Sequence, residues 1–385
     1  MRHLPAYTLL LFLSACTTHK APPVDPALVD TLAASVREHR TIPEKYILDL
    51  FEKHDIVFLG ERHYIRHDPQ LVQRLIPLLH AKGVNILCTE FARRVDQHFV
   101  DSLLSAQEYD EALARLITFN QFVHWGFREY LDIFRSAWQL NRNLGRRAPP
   151  FRILALNNSP NWVFVRTPED RDNPDVMRRV WHGEDEKDWA EVILDSVVAR
   201  GSRALVYTGA HHAFTEYRQP VVDGGRFVRF GDVRVGNHVF AAIGKRAVTI
   251  LLHGPWFSAE GYDAPAVMAA DGTIDALLKQ LAPEERRFGI DTRSTPFGRL
   301  TGISGVYKHG YEKFTLATLC DGIICQGRLE DYEGVMPVDD FVNGGNLADA
   351  RAQSPDPRFR TASVEEFFEA AVEAADIQKK MPKVP

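Results

Sequence analysis

The sequence predicts an α/β fold, a layered α/β/α arrangement with a largely parallel central sheet and a C-terminal α+β extension. Three observations lead there. Short apolar runs recur at residues 56–59, 84–89, 151–156 and 202–208. The stretches between them carry helical periodicity. Each run also ends in polar residues: Glu61 with His63, then Glu90, Asn157 with Asn158, and His211 with His212. Open α/β sheets bind ligands beyond the carboxyl ends of their strands, so the site is expected at that edge.

The elements can be justified in order. Residues 1–16 have the layout of a secretory signal, with basic Arg2, an apolar stretch and Leu13-Ser14-Ala15-Cys16. That ending resembles the lipobox of bacterial lipoproteins, which implies a lipidated Cys16 and a chain held at the membrane of the cell envelope. Thr17 follows the cysteine where an inner-membrane retention signal has aspartate, which favours the outer membrane. Residues 17–30, rich in Thr, Pro and charge, read as a tether. Residues 45–260 read as the main α/β domain and 261–385 as an extension packed on it.

After the first strand, Asp68-Pro69 reads as a helix start with a capping Asp and Pro at the first helical position. Leu71, Val72, Leu75, Ile76 and Leu79 then recur at helical spacing, and Gly83 ends the helix. Residues 95–143 read as mostly helical, with Phe127, Tyr130, Leu131, Phe134 and Trp138 as a core stripe. A helix at 189–199 precedes the fourth strand. Beyond His212, residues 236–244 and 247–252 read as strands, and 363–378 as an amphipathic helix.

Composition narrows the function classes. The 385 residues are 45% hydrophobic and 25% charged, with a formal net charge of −5. Basic residues form no stripe, so no nucleic-acid partner is expected. Besides Cys16 there are Cys88, Cys320 and Cys325; the last two can pair only if Asp321-Gly322 turns the chain. No disulfide framework is implied.

The most informative feature is an echo. Gly60-Glu61-Arg62-His63 and Gly209-Ala210-His211-His212 both follow apolar strands. Buried carboxylates and imidazoles cost free energy unless paired or liganded, so two such turns at one edge read as a site. Glu61 and His63 are two apart and point the same way in extended chain. With Glu90 and His212 they form a mixed oxygen and nitrogen set suited to Zn or Mn, whose bound water can act as nucleophile. The same groups can instead work without metal, one His as general base and a Glu orienting it. Glycine in both turns lets the backbone approach whatever is bound. His67, His211, Asn157 and Trp125 are candidate binding residues, while His253, Asp291 and Asp321 are weaker candidates near later strand ends.

Leu59-Gly60-Glu61-Arg62-His63, Thr89-Glu90-Phe91 and Gly209-Ala210-His211-His212 together resemble the ChaN-like and Tiki superfamily, over roughly residues 50–215. Its relatives include TraB-type proteins and, more distantly, erythromycin esterases. The resemblance implies Glu61, His63, Glu90 and His212 as the site. It also implies one of three activities: metal-dependent proteolysis as in Tiki proteins, lactone hydrolysis by His and Glu without metal as in the esterases, or haem binding for iron uptake as in ChaN. The first motif departs from the esterase form, which has one more residue between Glu and His. The chain is closest to the ChaN form, and the expectation is a metal-dependent hydrolase of an ester or peptide bond in a small molecule or peptide, with haem binding for iron uptake as the alternative.

Overall fold

The computed structural model describes residues 23–382; Cys16 and the lipobox-like segment lie outside them. Nine strands form in chain order: β1 (Ile56–Glu61), β2 (Ile86–Arg93), β3 (Arg152–Asn157), β4 (Ala204–Gly209), β5 (Pro220–Asp223), β6 (Arg226–Phe230), β7 (Ala247–Leu252), β8 (Phe288–Asp291) and β9 (Gly322–Cys325). Seven of them make one sheet in the order β3-β2-β4-β1-β7-β9-β8, and β5 pairs with β6 as a separate antiparallel hairpin. Within the main sheet every pair is parallel except β8 with β9. Helices cover both faces. The fold is a layered α/β one with a largely parallel sheet.

Side-chain alternation along the strands decides which groups share a face. Val57 and Leu59 of β1, with Leu205 and Tyr207 of β4, join the core beneath helices His67–Ala81 and Arg128–Asn143. Ile56 and Phe58, with Ala204 and Val206, join the opposite core beneath helices Glu186–Ser196 and Val235–Ile243. The parity carries on past the apolar residues. Glu61 therefore falls on the first face and Glu90, in step with Ile86 and Cys88, on the second. β4 lies between their strands.

Several elements differ from the sequence reading. Helix Pro26–His39 begins inside the stretch read as tether: Asp25 accepts from the Ala27 backbone N–H at 2.9 Å, and Val29, Leu32, Ala33 and Val36 are buried. An amphipathic face was hidden there by the flanking prolines. Residues 236–244, read as a strand, lie in helix Val235–Ile243, where Val235 and Val239 stand one helical turn apart on the buried face. Helix His67–Ala81 starts a residue before Asp68, which caps nothing; its buried carboxylate accepts from Gln326 Nε2 at 2.9 Å. The helix accommodates Pro77 internally. Cys88, Cys320 and Cys325 are buried and free, because the chain from Gly322 runs straight into β9 and carries Cys325 away from Cys320. Among the described residues no helix is long and apolar enough to cross a membrane.

Candidate active site

The carboxyl edge of β1, β2 and β4 carries a chain of alternating carboxylates and imidazoles. Glu61, the last residue of β1, is buried and accepts from the Tyr130 hydroxyl at 2.5 Å and from the Tyr207 hydroxyl. His63 Nδ1 lies 2.7 Å from Glu61 Oε1. The other ring nitrogen, Nε2, looks toward Glu90 Oε1 at 3.8 Å. Glu90 Oε1 is fixed by the Gly209 backbone N–H at 2.7 Å, and Glu90 Oε2 stands 3.3 Å from His212 Nε2. His212 Nδ1 completes the row, 2.9 Å from Glu186 Oε2. The row therefore starts on one face of the sheet, at Glu61, and ends on the other, at Glu186.

It crosses over Gly209. A Cβ built there would sit 2.8 Å from His63 Cε1 and 3.4 Å from Glu90 Oε1. Glycine thus clears space for the site's own imidazole, not for a bound ligand as the sequence suggested. Gly60 has a different task, since its Cβ would meet the Ala210 Cα at 2.9 Å and force the two turns apart. Tyr64, directly after His63, has φ of +75°, a conformation L residues seldom adopt. Such strain persists only where the surroundings impose it, and it gathers at functional sites.

Electrostatics divide the two imidazoles. Burial opposes charge on His212, but Glu186 and Glu90 outweigh it and raise its pKa. Burial likewise opposes charge on Glu186, yet His212 and Arg234 hold its pKa down at about 2. Arg234 Nη1 lies 2.7 Å from Glu186 Oε1, and the Val235 N–H donates to Oε2 at 2.9 Å. His212 is therefore set between two carboxylates that favour its charged form. His63 is placed otherwise. Its nearest carboxylate, Glu61, is itself saturated by tyrosine hydroxyls, Glu90 stands farther off at 3.8 Å, and the half-exposed ring lines a 180 Å³ cavity.

Trp125 walls this ring, edge to face at 4.9 Å, and stacks on Phe91. Asn157 Nδ2 donates to the Glu90 carbonyl at 3.1 Å and lines a 780 Å³ cleft with Glu90, Glu186 and His212. His211 points the other way, into an aromatic nest, with Nε2 3.1 Å from the Tyr307 hydroxyl; burial, then Arg234, pushes its pKa well below the usual histidine range. His67 packs against Tyr332 at 5.0 Å and takes no part in the row. His253 forms a buried pair with Asp275 at 3.1 Å, while Asp321 is tied to Arg293 and Asp291 caps Ser294.

Sequence reasoning missed Glu186, Arg234, Tyr130 and Tyr207. Glu186 sits in the acidic run Glu184-Asp185-Glu186, which reads as a solvated helix cap and does include one, Asp185. Tyr207 had a usable signal: it stands opposite Leu59 in register, on the same face as Glu61.

The donor set does not fit the expected Zn or Mn centre. Glu61 has both oxygens committed to tyrosine hydroxyls and an imidazole. Among the described residues no group of three or more His, Cys, Asp or Glu side chains is arranged to hold a metal ion. The four residues meet, but as an acid–base row.

No family model and no curated protein matches the chain. Several solved structures are similar. An erythromycin esterase mutant in its open conformation shares 11% identity, covering 78% of this chain and 95% of that one, with a TM-score of 0.49. A succinoglycan biosynthesis protein shares 11%, covering 82% and 100%, also at 0.49. A Bacillus cereus protein shares 12%, covering 78% and 97%, at 0.45. At these TM-scores the site has to be read from its own geometry.

Proposed function

We propose that the chain is a metal-independent hydrolase of an ester bond, with His63 as general base and His212 as the cationic partner. The observation that supports this most is the alternating row Glu61–His63–Glu90–His212–Glu186, which starts with a 2.7 Å hydrogen bond and continues as ion-pair approaches of 3.8, 3.3 and 2.9 Å. Glu61 fixes His63 as the tautomer protonated on Nδ1, which leaves the Nε2 lone pair free to take a proton from water. A buried carboxylate behind the ring also stabilises the imidazolium that forms, as in other base dyads. The hydroxide generated attacks the ester carbonyl and gives a tetrahedral oxyanion. His212, whose charged form the two carboxylates favour, offsets that developing charge, and the imidazolium formed on His63 returns its proton to the leaving alkoxide.

Among the activities that the ChaN-like and Tiki resemblance implies, this is the one without metal, that of the more distant esterases, from whose first motif this chain departs. The lipobox-like Cys16 supports anchoring at the cell envelope on sequence grounds alone. The test is a panel of nitrophenyl esters assayed with purified protein, with and without chelator. Chelator-resistant turnover that His63→Asn abolishes is the expected result. Turnover lost with chelator, or a Soret band with no hydrolysis, would overturn the reading.

A further inference from the structure

Arg62 takes no part in the acid–base row yet stands beside it. Its guanidinium lies 3.8 Å over the Phe257 ring and lines both the 180 Å³ cavity at His63 and an adjoining 620 Å³ cavity. Burial lowers its pKa, against the pull of Tyr307 and Tyr64. Among the described residues no carboxylate lies within ion-pair distance of it. Other half-buried arginines nearby are paired: Arg66 with Glu129 at 3.1 Å and Arg234 with Glu186 at 2.7 Å. A half-buried cation that has an aromatic ring but no carboxylate beside it keeps unmet donors, so this position suits an anion from outside the chain.

The surroundings are built for one. A Cβ on Gly254 would press on the Arg62 Cβ at 3.0 Å, so glycine there makes room for the arginine stem. Lys380, exposed, lines the same cavity, with its ammonium 5.7 Å from the Tyr64 ring centroid and donating to the Ala374 carbonyl at 3.3 Å; partial burial lowers its pKa against the pull of Glu373 and Asp376, and Arg62 adds to the lowering. The single carboxylate on that lining is Asp263, which is exposed. A guanidinium stacked on an aromatic ring keeps its in-plane N–H fork free for two parallel bonds to a carboxylate or phosphate.

We propose that this cavity receives an oxyanion, a carboxylate or a phosphate monoester, on Arg62 and Lys380, with Phe257, Tyr64 and Tyr262 holding the apolar body beside it. The substrate class is then an ester of an anionic small molecule, a statement that rests on the hydrolytic reading, whereas the anion site itself does not.

The experiment is calorimetric titration of the full chain with benzoate and with phenyl phosphate, using benzyl alcohol as the neutral control. One or both anions should bind. Arg62→Gln should weaken that binding tenfold or more and Lys380→Gln several-fold, while Arg62→Lys retains part of it with an unchanged melting temperature. Preference for phenyl phosphate or for benzoate identifies which oxyanion the site takes. Equal anion binding by wild type and Arg62→Gln, or binding of neither anion, would overturn the proposal. Titrating His63→Asn separates the two readings: anion binding kept while hydrolysis is lost supports both. Anion binding kept with hydrolysis undiminished in His63→Asn leaves the anion site standing and removes the base.

Discussion

The two Gly-x-x-His turns look alike in sequence and work differently in space. The first is nearly self-sufficient: Glu61 and His63 are two residues apart and bonded to each other, with tyrosines closing the carboxylate. The second depends on partners far along the chain. His212 takes its charge from Glu90 and from Glu186, and its neighbour His211 is turned into a different, aromatic environment. An echo in sequence thus yields complementary roles, because each imidazole is set by the carboxylate it meets and not by the turn that carries it.

The largest effect that would sharpen this contrast is at the first turn. His63→Asn should lower kcat/KM for ester hydrolysis by about 10²–10⁴, the usual contribution of a general base, with little change in melting temperature because the ring is half-exposed. A loss under threefold would make the turns equivalent bystanders.

Next come the glycines. Gly209→Ala should remove most activity by driving the His63 ring off its position, whereas Gly60→Ala should act mainly on stability. Overpacking of that kind costs about 1–3 kcal/mol, readable in urea unfolding. The reverse pattern would mean that the turns have been assigned to the wrong tasks.

A smaller effect distinguishes the second turn by pH. The raised pKa of His212 means its ion pairs stabilise the fold fully below pH 6.5, and that contribution fades as pH rises through the folded value. Glu186 works with the opposite sign: its stabilisation is present above 4.5 and is lost as pH falls toward about 2. Glu186→Gln should therefore flatten the acid side of the stability curve and move the alkaline limb of kcat/KM to lower pH. An unmoved alkaline limb would show that His212 is not the group titrating. Smallest in chemical terms, Cys16→Ser should release the protein from the membrane fraction with its kinetics intact.

Much of this site was legible because strand-end residues announce themselves. Glu61, Glu90 and His212 each follow an apolar run, and parity within the strand even fixes which face Glu61 takes. What supports them was hidden. Tyr130 lies on an aromatic helix stripe that reads as packing, and Glu186 lies in an acidic helix start that reads as a cap. Both act only through tertiary approach, Tyr130 from 69 residues away in sequence. How Glu61 is engaged was hidden for the same reason, since ligand-type residues cannot disclose that tyrosine hydroxyls bond to its oxygens. Helix Val235–Ile243 was misread as a strand because its apolar residues are dense enough to suit either period.

The central claim is that two imidazoles, one placed as base and one set between two carboxylates that favour its charged form, hydrolyse an ester with no metal between them. Measuring kcat/KM against pH in the presence of excess chelator tests it directly. A bell-shaped profile of undiminished height, with the alkaline limb displaced in Glu186→Gln, is the predicted result. Activity abolished by chelator and restored by zinc or manganese would contradict it.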